Sequence, residues 1–299
     1  MKRINAIVVV SLMAGLMMLA SCKKENNTNN DGTNNDGMLP GAFSVSATQQ
    51  VHFSQGNLQY QASSDTWRFA EHQYDYVGDD NSNISSNYSG WIDLFVWGTS
   101  GWNSGAVCYQ PWSISTTSSD YYPGGSYTNG LTGVYAEADW AWHNAISNGG
   151  NAAHQWRTLT STEWDYLLNS RTDASSKRGT GNINGVGGLI ILPDSWTLPS
   201  GCSFTAGLAS SFNDWTHNSY TLAQWAQMEA AGAVFLPAAG YRCGANVIDV
   251  GYFGFYWSST PRSENTAYFM DFGSYCLNAT YNLMNNFSRY YGFSVRPVR

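Results

Sequence analysis

Charge is what this 299-residue chain has least of: Asp, Glu, Lys and Arg together make up 12% of it. A helical bundle, which draws on Leu, Glu and Lys, is a poor reading of such a composition. Basic residues are the scarcer kind, 14 against 21 acidic, for a net charge of −7. Without Lys2 and Arg3 the balance is 12 against 21, or −9. A surface of that sign is poor at binding phosphate, so nucleic acid is not an expected partner. After the first twenty residues no apolar run approaches the ~18 needed to span a bilayer. The five cysteines include no Cys-x-x-Cys pair, which leaves zinc and redox motifs without support. No internal repeat is present, so a solenoid is not indicated.

What the chain does have is 43% hydrophobic residues, 15% aromatic residues and an abundance of Gly, Asn, Ser, Trp and Tyr. That is ample for a packed core. It suits an α+β fold of short strands joined by many turns.

The first 22 residues, "MKRINAIVVVSLMAGLMMLASC", read as an address. Lys2 and Arg3 form a basic start, an apolar stretch runs to Ala20, and Leu19-Ala20-Ser21-Cys22 looks like a bacterial lipobox. The expectation is a signal peptide over 1–21 and a lipidated Cys22, anchored stably because each buried methylene contributes roughly 0.8 kcal/mol. Residues 23–37 contain no apolar side chain, and the 22–38 segment is expected to be a flexible, Asn-rich tether.

From residue 39 the pattern alternates. Phe43 and Val45, Val51 and Phe53, Leu58 and Tyr60, and Trp67 and Phe69 predict short antiparallel strands with one buried face, turning at Gly56-Asn57 and Ser64-Asp65. The span 39–130 is expected to be a β-rich first part of the domain, with long ordered loops over 77–130 pinned by aromatics such as those of "GWIDLFVWGTSGW". Three helices are predicted in the remainder, 131–299. One covers 136–147, with Trp142 and Ile146 on one face. A second begins at "TSTEWDYLL", with Thr160 as N-cap, Glu163 completing a capping box, and Trp164, Leu167 and Leu168 inward. In the third, "TLAQWAQMEAAG", Thr221 caps, Gln224 closes the box, Trp225 and Met228 face inward and Gly232 ends it. Strands are predicted at "AVFLP", 255–259, 267–272 and 293–298, with Phe293 and Val295 pointing inward.

"WRTLTSTEWDYLL" (156–168), "YWSST" (256–260) and "GFSVRPV" (292–298) resemble segments of the formylglycine-generating-enzyme-like, C-type lectin-like fold. They are most similar to its Fibrobacter succinogenes major domain type, found in lipoproteins of gut Bacteroidetes. The resemblance covers about residues 150–299. It implies a small twisted antiparallel sheet, about three helices, long structured loops and adjacent domain ends. With the lipobox and tether, it implies an outer-membrane, cell-surface location. Fold alone does not fix function.

Between Asn246 and Tyr291 lie 46 residues, of which Asn, Tyr, Phe and Ser supply 23. Tyr offers large contact area with few rotors, and Asn and Ser offer adaptable hydrogen bonds, so this is the chemistry of a binding surface. The stretch "GSYCLNATYNLMNNFSRY" reads as a poor core and a good surface. C-type lectin-like folds place their ligand face on C-terminal loops. The same fold serves target proteins of diversity-generating retroelements, whose adenine-directed mutagenesis makes Asn, Tyr, Ser and Asp accessible. Residues fitting such a face are Asn246, Asp249, Tyr252, Arg262, Tyr275, Asn278, Tyr281, Asn285 and Asn286.

Catalysis is not expected. Cys243 and Cys276 are too far apart in sequence for the close cysteine pair of the formylglycine-generating enzymes. Cys108, Cys202, Cys243 and Cys276 fit either two disulfides, in one of three pairings, or free thiols. The five histidines are scattered. The run Gly78-Asp79-Asp80-Asn81-Ser82-Asn83 offers oxygen ligands of the kind Ca²⁺ takes but lacks the distal Glu of an EF-hand, so a polar turn is the favoured reading and no cofactor is expected. The calcium-lectin tripeptides Glu-Pro-Asn and Gln-Pro-Asp are missing. Glu137, Asp139, Glu163, Asp165, Glu229, Asp249, Glu264 and Asp271 could supply a hydrolytic pair, yet nothing in the sequence defines a cleft between two of them. The reading is a lipid-anchored surface protein that binds a glycan or a host or bacterial surface protein without covalent chemistry. The rivals are a self-assembling, pilus-like component and a cryptic enzyme.

Overall fold

Each apolar residue of the alternating run at the start of the domain reaches the core. The structure, a computed structural model, describes residues 36–278 and 287–299. Phe43–Ser44 pairs antiparallel with Gln50–Val51, and Leu58–Gln61 with Thr66–Phe69. Phe43, Val45, Val51, Phe53, Leu58, Tyr60, Trp67 and Phe69 are all buried. The second hairpin turns through a 3₁₀ segment, Ala62–Ser64, and closes on Asp65 at φ 48°, a left-handed position that Asp tolerates better than most residues.

Two of the three predicted helices form as their caps dictate. Thr160 Oγ1 accepts from Glu163 N while the Glu163 carboxylate accepts from Thr160 N, opening Ser161–Asp165, which continues as a π turn over Tyr166–Ser170. Thr221 and Gln224 repeat the arrangement for Leu222–Ala230, with Trp225 and Met228 buried. The 136–147 helix is shorter than its periodicity suggests. A 3₁₀ segment, Gly133–Ala138, runs into Asp139, which caps a four-residue helix, Trp140–His143. Asn144 then ends it by donating its side-chain amide to both Trp140 O and Ser100 O. Ile146 leaves the helical face and bridges to Trp67.

The remaining strands make three sheets. Arg178–Ile183 and Val186–Ile191 form a hairpin flanked by Val234–Pro237 and, in parallel, Ser219–Tyr220. Phe253–Pro261 pairs with Ala267–Gly273, which pairs with Leu277–Asn278. The order Asn246–Ile248, Tyr241–Cys243, Tyr291–Phe293, Phe95–Val96 completes the set. The last sheet joins the 39–130 and 131–299 parts, because Phe95–Val96 pairs with Tyr291–Phe293. His52 and Arg299 exchange backbone hydrogen bonds, which brings the two ends of the domain together. The fold is α+β, built of small sheets with few helices, and no helix among the described residues is long and apolar enough to cross a membrane.

The closing segment is more of a core than its composition suggests. Phe293 and Val295 are fully buried, as expected. Phe287, assigned to surface on sequence grounds, packs instead against Tyr241, Phe255, Phe269 and Tyr291. Arg289 is buried as well, its guanidinium 4.4 Å from the Trp97 ring and donating to Tyr127 O and Ser263 O. Arg242 is also buried and donates to Leu94 O, Gly244 O and Ser113 O, so one side chain ties three loops together. Burial pushes the pKa of both guanidiniums down to about 10.

Candidate functional site

Three aromatic rings stand half in water at one end of the Phe253–Pro261/Ala267–Gly273 hairpin. Phe212 is 56% exposed, Tyr252 44% and Tyr275 45%. Phe212 touches both tyrosines. Phe212 stacks on Tyr252 at 5.6 Å and 8°, and meets Tyr275 edge-on at 5.9 Å. Phe253 lies behind them, 6.0 Å from Phe212 and 6.2 Å from the buried Phe255.

Each ring comes from a turn held by backbone bonds. Asp249, at φ 58°, accepts from the amides of Tyr252 and Phe253, and Gly251, at φ 81°, donates to Ala238 O. This tight turn delivers Tyr252 directly into the strand. The turn carrying Tyr275 closes with Gly273 N donating to Cys276 O. Phe212 arrives on a loop fixed from both sides. Ser274, buried between the strands, donates through Oγ to Ser211 O and accepts there from Asp214 N, while its carbonyl accepts from Ala209 N and Thr180 Oγ1. On the other flank, Trp215 Nε1 donates to Asn213 Oδ1 and Gly251 O. Trp215 can lie so close to the sheet because residue 187 is Gly, where a Cβ would sit 2.5 Å from the indole. The rings are therefore placed before any ligand arrives, which lowers the ordering cost of binding.

The expected site residues divide by position. Tyr252 and Tyr275 belong to the cluster, and Asp249 lies at the root of the same turn, its carboxyl raised above the usual range by partial burial. Asn246 is exposed at the tip of the neighbouring hairpin, whose two-residue loop is Gly244-Ala245. It is three positions from Asp249, a reach of at most about 11 Å. The backbone of Asn278 pairs with that of Asp271 beside the Tyr275 turn. Arg262 is not brought together with these residues. It follows Pro261, eight residues from Phe253 and so roughly 26 Å along the strand; its guanidinium lies over the Tyr268 ring at 5.7 Å. Tyr281, Asn285 and Asn286 lie outside the described residues. Phe212 was not anticipated. Its only sequence signal is a lone aromatic among polar neighbours, "SSFND".

The other candidates fill structural positions. Asn81, inside the 78–83 run considered for calcium, donates to Gly78 O and Asp93 Oδ1 and accepts from the amides of Asp93 and Leu94. Glu163 receives a two-pronged ion pair from Arg157. Asp139 is buried as a cap and accepts from Thr158. Glu137 takes one histidine on each oxygen, His143 at 2.7 Å and His154 at 2.8 Å. Among the described residues no group of three His, Cys, Asp or Glu could hold a metal ion. Cys108, Cys202, Cys243 and Cys276 are unpaired and half-buried. A cleft of about 620 Å³ between residues including Arg68, Asp75, Tyr76 and Asn184 contains none of the expected residues. Its Arg68 is already engaged, donating to Gln59 and lying 3.8 Å from the Trp91 ring.

Residues 215–298 are similar to a family described as a domain of unknown function (DUF8237). That span takes in Tyr252 and Tyr275 and begins just after Phe212. No curated protein and no solved structure was found to match the chain.

Proposed function

We propose that this is a lipid-anchored surface protein that binds a glycan or a protein ligand non-covalently through the Phe212–Tyr252–Tyr275 face. The observation that carries this reading is the exposure of three rings, joined through Phe212, that the protein itself holds in place. An apolar cluster left in water costs free energy unless a partner covers it. Tyr and Phe faces suit both the apolar side of a sugar ring and the side chains of a protein epitope. Asn246 and Asp249 supply the polar rim that sets orientation. The lipobox ending at Cys22 and the Asn-rich segment after it support the part of the proposal that sets this face outside the membrane, on the outer surface of a Bacteroidetes-type cell. Within the α+β fold, the C-type lectin-like architecture is the finer assignment, and diversification of the 246–286 region would match the ligand face to new partners.

The test is an array of glycans and of host and bacterial surface proteins, probed in calcium and again in EDTA. The expected result is a specific hit that a Phe212→Ser/Tyr252→Ser/Tyr275→Ser variant loses. Self-association of the wild-type protein, lost in the same variant and with the array blank, would replace this reading with the assembly one.

A further inference from the structure

A second site lies in the other half of the sequence. A pocket of about 330 Å³ is lined by Tyr60, Trp67 and Trp112 together with Asp65, Gln110, His143 and Asn144. Four separate pieces of chain build it: the Leu58–Gln61/Thr66–Phe69 hairpin, the Ser100-Gly101 corner, the 110–112 loop and the end of the Trp140–His143 helix. They are fastened to one another. Gly101 N donates to Tyr109 O, and Asn144 Nδ2 donates to Ser100 O and Trp140 O. The aromatic wall is ordered too, with Tyr60 4.6 Å from Trp67 and stacked on Trp112 at 6.0 Å.

Unspent hydrogen-bonding capacity sets this pocket apart. Among the described residues the side-chain amide of Gln110 and Nε1 of Trp112 make no hydrogen bond. Asp65 uses one oxygen, for Tyr60 OH, and keeps the other. Asn144 spends only its Nδ2, leaving Oδ1. His143 binds Glu137 through Nδ1, and because a carboxylate can only accept, that nitrogen carries the proton. In the neutral ring Nε2 is then left as an acceptor. The pocket thus presents both donors and acceptors beside aromatic faces, and no Lys or Arg lines it.

We infer that this pocket binds one neutral, hydroxyl-rich ring, the terminal unit of a glycan or a free monosaccharide. Hydroxyls both donate and accept, so they can use Gln110, Asp65, Asn144 and His143 together while the ring's apolar face lies on Trp112. An anion would meet Asp65 with no counter-charge. An ammonium would leave the Gln110 and Trp112 donors idle. The volume is at the small end of ligand sites, which suits a single ring. This site is independent of the Phe212–Tyr252–Tyr275 face.

The test is saturation-transfer NMR on the purified protein with D-glucose, D-galactose, D-mannose, L-fucose and N-acetylglucosamine, and with choline and acetate as controls. The expected result is transfer to the ring protons of at least one sugar. Trp112→Ala and, separately, Gln110→Ala should weaken it by about tenfold with an unchanged circular dichroism spectrum. The Phe212→Ser/Tyr252→Ser/Tyr275→Ser variant should keep it. Should Trp112→Ala fail to fold, Gln110→Ala decides. No transfer to any of the sugars would overturn the inference. So would binding of choline alone, or sugar binding that the pocket variants keep and the triple variant loses.

Discussion

The C-terminal third carries two aromatic clusters made of the same residue types, one dry and one wet. In the dry one, Tyr241, Phe269 and Phe287, partly buried, pack ring against ring on the buried Phe255 and Phe293. Phe212, Tyr252 and Tyr275 pack in the same way, yet each is about half exposed. Phe253 touches both groups. The difference lies in where the rings are mounted. The dry cluster is built mainly on paired strands, where neighbouring strands and the closing segment bury Phe255 and Phe293 and cover much of the other rings. The wet cluster comes from two turns and a loop at the end of a hairpin, where no further layer follows among the described residues. Hydrophobic content therefore does not separate core from exposed surface here; position on the hairpin does.

The contrast can be broken most strongly from the dry side. Phe293→Ala should lower the unfolding free energy by about 3–5 kcal/mol, measured by chemical denaturation, because the surrounding rings cannot collapse into the hole. If the cost were below that of a surface substitution, the dry cluster would not be the core described. A smaller loss is expected at the support of the wet cluster. Gly187→Ala drives a methyl into the Trp215 indole and should cost about 1–3 kcal/mol. Since Trp215 anchors both Asn213 and Gly251, the same variant should lose ligand binding although residue 187 is no part of the face.

A pH titration sharpens the comparison further. Asp93 and Asp139 are buried, and desolvation pushes each carboxyl up to about 6 from an ordinary value near 3.8. In the pH window between those values the folded protein holds protons that the unfolded chain has released. The contribution of these two groups to stability should therefore fall as pH rises from about 4 to 6 and be level above that, against the opposite trend from the lowered carboxyls of Glu137, Glu163 and Asp194. Lowering the pH from 7 to 5 should add about 1 kcal/mol for each group. Asp93→Asn and Asp139→Asn should each flatten part of this slope in thermal melts. The smallest stability effect belongs to the wet cluster itself. Replacing all three rings by Ser removes pair contacts worth about 0.5–1.5 kcal/mol each at most, with much of each ring already in water.

What the sequence made legible is local. The capping boxes at Thr160 and Thr221 need only residues three apart, and both form. The alternation from Phe43 to Phe69 needs only one buried face, and that face is buried. The 136–147 helix was misjudged because its stop is a distant bond, from the Asn144 amide to Ser100 O, that no periodicity reveals. Phe287 read as surface because the Tyr241 and Phe293 rings that receive it come from other strands. Tyr252 and Tyr275 were legible as exposed aromatics, but their meeting depends on the Phe253↔Gly273 register. That same register carries Arg262 to the far end of the hairpin. Phe212 was hidden because the loop bearing it is positioned by Ser274 and Trp215, and loop placement leaves no periodic trace.

The most direct measurement takes the Phe212→Ser/Tyr252→Ser/Tyr275→Ser variant and follows two quantities together, ligand binding on the array and the unfolding midpoint. Binding should disappear while the midpoint moves less than it does in Phe293→Ala. Retained binding, or a collapse in stability as large as that of the core variant, would contradict the proposed binding face.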